Sequence, residues 1–208
     1  MKQVAIIGAG EFGKQVLDIA LLQNKYAPVG FIDDFNERKT FQGLDILGKI
    51  DDVETLYKRN KFDCLFVAIG YKHLSLKQEL LKQFAHIPFA TIIHPTSVIE
   101  QSAEIAQGVL TYAFAYIGFG SKVCKGSVIN VYSYLPHDNL VKECTFLSCG
   151  VNMGGKVTIG ERSFIGVGST ISDNLTICDD TLIGAGTVVI KDIEESGTYV
   201  GCPARKIN

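Results

Sequence analysis

Residues 159–189 read IGERSF IGVGST ISDNLT ICDDTL IGAGTV V when the chain is cut into sixes. An aliphatic residue opens every block: Ile159, Ile165, Ile171, Ile177, Ile183 and Val189. Carried back without a slip, the register puts Ile99, Ile105, Thr111, Ile117, Val123, Ile129, Leu135, Val141, Leu147 and Met153 at the same position, and only Thr111 is polar. The fifth position is usually small or β-branched, from Ala103 and Val109 to Thr181 and Thr187, and the second is often glycine (Gly118, Gly154, Gly160, Gly166, Gly184). Neither a helix nor a plain alternating strand predicts a strict period of six. A hexapeptide β-solenoid does: each block supplies a short strand and a turn, with an apolar side chain pointing inward. The glycines then read as corners of the coil.

Upstream of the repeat the pattern changes. Lys2–Gly8 reads as a buried strand entering Gly8-Ala9-Gly10-Glu11-Phe12-Gly13, and Val16, Leu17, Ile19, Ala20 and Leu21 give the apolar face of a following helix. Tyr26–Ile32 is a second strand closing in Asp33-Asp34. A strand, G-x-G-x-x-G, a helix and then an acidic pair is the order in which a dinucleotide fold cradles phosphate and ribose; a tight turn without ligand is the plainer alternative. A strand or turn at Leu44–Gly48, a helix near Asp51–Arg59, a strand at Asp63–Ile69, a helix at Leu74–Phe84 and a strand at Phe89–Ile93 complete a small α/β unit with a parallel sheet. His94-Pro95 is the expected boundary. Residues 1–93 form a small Rossmann-like domain, and residues 94–208 an all-β solenoid with a turn-rich tail. Solenoid ends need caps, and the front domain and the tail are placed to supply them.

The net charge of −2 in 208 residues gives no support to a nucleic-acid partner. No apolar run reaches the roughly 18–20 residues of a membrane span, and MKQVAIIGAG reads as a first strand, not a signal peptide. The six cysteines include no C-x-x-C pair, which points to reduced, packed thiols and no metal site, with the cytoplasm as the default location.

Of the four histidines, His137 stands out. It lies in Leu135-Pro136-His137-Asp138-Asn139-Leu140, at a turn position with a carboxylate beside it. An imidazole there can accept a proton near neutral pH, and a neighbouring carboxylate favours its charged form. A solvated turn histidine fits the same residues. His94 orders a turn at the boundary. His73 and His86 lie around a surface helix and carry no assignment. Cys149 is the candidate thiol for a covalent route, but nothing visible activates it.

The hexads resemble the left-handed parallel β-helix of the hexapeptide-repeat acyltransferases. With GAGEFG, FIDDF, VAIG, PHD and VGCPAR, the whole chain resembles the NeuD/PglD-like nucleotide-sugar N-acetyltransferases of that superfamily. The resemblance implies an acetyl-CoA-dependent N-acetyltransferase acting on a nucleotide-linked amino sugar, assembled as a homotrimer with its site between subunits. It makes His137 the general base and Asp138 its tuning acid, with direct attack and no acyl-enzyme. It lays Gly10, Glu11 and Phe12, after the turn glycine Gly8, along the diphosphate, and sets Asp33, Asp34 and Gly70 at the nucleoside. It gives Phe146, Gly155, Gly166, Val167, Gly184, Ala185 and Arg205 to acetyl-CoA. This chain departs from the family at Phe12 and Phe146, where relatives carry histidine, and at Asp138, where some carry glutamate. An O-acetyltransferase on a free sugar, an amino-acid acetyltransferase and a non-catalytic nucleotide-sugar-binding module are the alternatives.

Overall fold

The computed structural model describes residues 1–207. The front unit runs β1 (Lys2–Ile7), α1 (Glu11–Gln23), β2 (Tyr26–Ile32), β3 (Thr40–Phe41), β4 (Leu44–Gly48), α2 (Val53–Lys58), β5 (Cys64–Val67) and α3 (Leu74–Gln83). Its sheet has the order β3-β4-β2-β1-β5. β4, β2, β1 and β5 are parallel, and β3 pairs antiparallel with β4, so the sheet is mixed where the sequence suggested a parallel one. The expected strand at Phe89–Ile93 is divided between two sheets. Phe89 bridges Leu65 in the front unit, and β6 (Ile92–Ile93) pairs with Leu110–Thr111 of the solenoid. Backbone pairing therefore passes from one unit to the other within a few residues.

From β6 onward the chain winds as a left-handed β-helix with three parallel faces. Partners in neighbouring coils stand eighteen residues apart, three hexads to the turn. The first-position residues are buried from Thr111 to Val189. The fifth position also faces inward, which exposes buried turn carbonyls to its hydroxyls. Ser127, Ser133, Thr145, Ser163 and Ser169 each donate from Oγ to a carbonyl fifteen residues on, at 2.8–3.2 Å. Leaving such a carbonyl unpaired would cost about 1–3 kcal/mol, which is why small hydroxyls recur in an otherwise apolar core.

The corners are built differently from the expectation. The left-handed residue is the fourth of each hexad, from Gly108 and Phe114 to Asp180 and Gly186. The second-position glycines serve close stacking instead. A Cβ on Gly118 would stand 1.8 Å from the Pro136 carbonyl oxygen, and one on Gly160 would stand 2.3 Å from the Asp179 nitrogen.

The front unit packs on one face of the solenoid. Val16, Leu17, Ile19 and Ala20 of α1 share a buried cluster with Ile92, Leu110, Val128 and Phe146. Ile99 and Ile105 of the first coil stay only partly buried, so this unit covers a flank and not the end it was expected to cap. On the same flank, Gln78 of α3 donates to Glu161 (2.9 Å) and accepts from Arg162 (2.8 Å), which also grips Asp180. At the other end the tail strand Gly197–Val200 adds to Thr181–Ile183, and Ile193, Tyr199 and Ala204 pack on the core.

Candidate active site

His137 ends the strand Tyr134–His137, and Leu140–Val141 begins the next face, so the imidazole stands at a corner. Its Nδ1 lies 3.0 Å from Asp138 Oδ2, with the two side chains 52% and 44% exposed. A carboxylate can only accept, so Nδ1 carries the proton of this bond and Nε2 keeps its lone pair. Two glycines make the room. A Cβ on Gly155, one coil on, would meet His137 Cε1 at 2.2 Å and Nε2 at 2.3 Å. A Cβ on Gly120, one coil back, would meet Asp138 Oδ1 at 2.8 Å. Asp138 itself takes the left-handed conformation, φ 54°, which short polar residues tolerate better than others. The buried Asn139 locks the corner from below, accepting the Val157 N–H (2.9 Å) and donating its own N–H to Ser121 (3.1 Å).

The front unit carries a cavity of about 800 Å³ lined by Ala9, Gly10, Glu11, Asp33, Phe35 and Arg38, among others. Gly8 has φ 109° at the end of β1, and a Cβ on Gly13 would lie 2.0 Å from the Gly8 carbonyl, so both glycines are required for the turn. Gly10 caps α1 with open space around it. The acidic pair makes local backbone bonds. Asp33 accepts N–H groups from Ala9 (2.6 Å), Phe35 (2.9 Å) and Asn36 (2.9 Å). Asp34 accepts from Ile50 (2.8 Å) and does not line the cavity. Both order backbone.

A second cavity, about 450 Å³, shares Glu11 with the first and lies at the seam between the units. It brings together Glu11, Phe12 and Gly70 with Phe146 and Val167, two residues expected at the cofactor. Its walls are aromatic. Phe146 is buried between Phe12, Tyr71 and Phe164, and Tyr71 stacks on Phe164 at 4.4 Å. Tyr71 and Phe164 escaped the sequence reading. Tyr71 had a signal, since it follows Gly70 at the end of a strand. Phe164 had a weaker one, an outward sixth-position aromatic.

Gly155 is not with the other cofactor candidates; it is buried beneath His137. Gly166 and Ala185 stack at the corner that also carries Val167, with a Cβ on Gly166 reaching the Ala185 nitrogen at 2.6 Å. Gly184, in the same column, abuts Val200 of the tail strand. Val167 and Ala185 are exposed there, a slim backbone ridge suited to an extended pantetheine arm. Arg205 lines a separate cavity of about 350 Å³ with Lys191, Tyr199 and Pro203 at the far end.

His137 and the front cavities are apart within one chain. The front unit covers the face of Leu110, Val128 and Phe146. His137 lies on the corner between the other two faces, opposite that flank.

Residues 3–84 match the family model of the PglD N-terminal domain. A GDP-perosamine N-acetyltransferase from Escherichia coli O157:H7 is 28% identical over 165 residues, 76% of this chain and 73% of that protein. The acetyltransferase domain of PglB from Neisseria gonorrhoeae superposes over 100% of both chains with a TM-score of 0.91 and 29% identity. A histidine variant of perosamine N-acetyltransferase from Caulobacter crescentus, solved with CoA and GDP-perosamine, matches 100% of this chain and 98% of its own, with a TM-score of 0.90 and 28% identity. Over its full length this chain is similar to the NeuD/PglD-like sugar N-acetyltransferases. Both parts of that family's architecture are therefore accounted for: the matched segment is the front unit, and the full-length superposition carries the solenoid with it.

Proposed function

We propose that this chain transfers the acetyl group of acetyl-CoA to the amine of a nucleotide-linked amino sugar. The observation that carries the mechanism is the His137–Asp138 pair, held at a corner with Nε2 free. Acetyl-CoA supplies the activated thioester carbonyl. Nε2 takes the proton that the sugar amine loses as its nitrogen bonds to that carbon, and the imidazolium returns it to the departing thiolate. Asp138 accepts from Nδ1 throughout, which fixes the ring and its tautomer. No thiol lies in the dyad, so attack is direct.

The nucleotide enters the front cavity, the sugar the aromatic cavity at the seam, and the pantetheine arm the ridge at Gly166 and Ala185. Because His137 stands opposite the flank that holds these cavities, the site is completed by another copy of the chain. An exposed apolar strip supports this. Val98, Phe119 and the stacked Tyr116–Tyr134 pair line one face, and Phe114 stacks on Tyr132 at the adjoining corner. Patches of this kind mark interfaces, and a homotrimer about that face joins each seam to a neighbour's His137. Both co-substrates are cytoplasmic metabolites, which supports that location; among the described residues no helix is long and apolar enough to cross a membrane.

The test is incubation with acetyl-CoA and a panel of UDP-, dTDP- and GDP-linked amino sugars, following free thiol. We expect release with one nucleotide class and none with the matching hydroxy sugar. Equal release from hydroxy and amino sugars would make it an O-acetyltransferase.

A further inference from the structure

Of the large apolar side chains described, Phe35 is the most exposed, at 92%. It does not sit on a loose loop. Asp33 accepts the N–H groups of Phe35 and Asn36 at 2.9 Å and ties them to Ala9 at 2.6 Å. Asn36 donates to the Ala9 carbonyl (3.3 Å) and accepts the Arg38 N–H (3.1 Å). The chain thus spends two polar side chains on fixing a segment that presents a phenyl ring to solvent. Exposure of one large apolar residue is unremarkable alone; this one lines the cavity of about 800 Å³ beside Gly10 and Glu11.

Charge in that cavity is lopsided. Glu11, Asp33 and Glu37 are acidic, and Arg38 is the one cation among the lining residues. A nucleoside diphosphate entering there adds further negative charge. Of the two carboxylates that sequence reading would give to the nucleoside, Asp33 already accepts three backbone N–H groups and Asp34 lies outside the cavity.

We propose that Phe35 is the platform on which the nucleobase stacks and that Arg38 is the cation that meets the diphosphate. The inference rests on the nucleotide-linked substrate proposed above. Every base has a π-face, so an aromatic platform binds without dictating base identity. A guanidinium presents paired donors to phosphate oxygens. The loop between Asp33 and Arg38 is then a two-point clamp, with affinity at one point from stacking and at the other from charge.

Titration calorimetry on the full chain with UDP, GDP and phosphate-free uridine separates the two points. Phe35→Ala should weaken all three by roughly ten-fold or more, as the alanine-scan cost of losing one stacked base predicts. Phe35→Trp should restore binding and Phe35→Leu should not. Arg38→Ala should weaken UDP and GDP, flatten their salt dependence and leave uridine unchanged. Acetyl-CoA affinity should be untouched in each variant. Wild-type affinity in Phe35→Ala, or in Phe35→Leu, would overturn the stacking role. So would a fall in oligomer mass with nucleotide affinity intact, which would make Phe35 a subunit contact. Uridine weakened by Arg38→Ala as much as UDP would overturn the charge role. A wild-type chain that takes up neither UDP nor GDP, nor dTDP as a further probe, would overturn the nucleotide-sugar reading itself, and this inference with it.

Discussion

Gly155 lies directly against the imidazole of His137: a Cβ there would stand 2.2 Å from Cε1 and 2.3 Å from Nε2. Gly155 is not among the positive-φ glycines, so alanine meets no backbone penalty and the whole effect falls on the ring. Gly155→Ala should fold, at an overpacking cost of about 1–3 kcal/mol. It should lower kcat on the order of 100-fold, the loss expected when a reacting group is misplaced by about an ångström. KM for acetyl-CoA should stay near wild type. Steady-state kinetics beside a thermal melt checks this, and a KM defect with normal kcat would return Gly155 to the cofactor.

The dyad makes a graded prediction. His137→Ala should lower kcat by about 10²–10⁴-fold with little change in either KM. Asp138→Asn should cost less, because the imidazole remains and the amide can still contact Nδ1. The asparagine also tolerates the left-handed backbone at φ 54°, so lost activity cannot be assigned to a broken corner. Equal losses in the two variants would mean that Asp138 does more than orient the ring.

Much of this arrangement is legible in the sequence, because the period is imposed by geometry. First and fifth positions point inward in every coil, so selection for a core repeats every six residues. The docking flank was also readable, at a longer period than the one first applied. Sixth positions point outward, and those on one face are Ile92, Leu110, Val128, Phe146, Phe164 and Leu182, all apolar. The face beginning at Glu104 carries Lys122, Leu140, Thr158 and Thr176 at the same position, with Leu140 its one apolar residue. Residues eighteen apart thus announce which side is covered. The uses of Asp33 and Asp34 were not legible. A carboxylate that binds ribose and one that holds a loop look alike until its N–H partners are placed. The contact of Gly155 with His137 was hidden for a similar reason: it depends on stacking across coils, and the same glycine fits a cofactor groove.

Placement of His137 opposite the front unit predicts rescue in trans. His137→Ala should lack the base but keep its cavities. Gly70→Phe should fill the seam cavity, where Gly70 has open space around it, but keep its dyad. Each alone should be inactive. Co-expressed and purified as mixed oligomers, they should regain activity, since some sites pair an intact seam with an intact histidine. Mixtures as inactive as their components would place the whole site within one chain.

Stability should carry a pH signature from Lys77. Its side chain is buried on α3 at the seam, Nζ has no hydrogen-bond partner, and the Phe12 ring centre lies 5.9 Å from it. Burial pushes its amine down to about 8, with a smaller opposing effect from Cys144. The unfolded chain then binds more protons than the folded one from about pH 8 to the ordinary lysine range, so stability rises with pH across that window. Cys64 and Cys144, both pushed up to about 11 by burial, and Cys124, also pushed up by burial, act in the opposite sense as the unfolded thiols ionise through pH 8 and 9. The difference between wild type and a variant without the amine isolates Lys77, and linkage makes that difference change by about 1 kcal/mol between pH 8 and 9. Lys77→Met keeps the length of the side chain and removes the charge. It should melt higher than wild type at pH 7, and its lead over wild type should narrow between pH 8 and 9. Parallel melting profiles for the two proteins over that interval would mean that Lys77 keeps its proton in the fold, with the seam admitting a partner for Nζ.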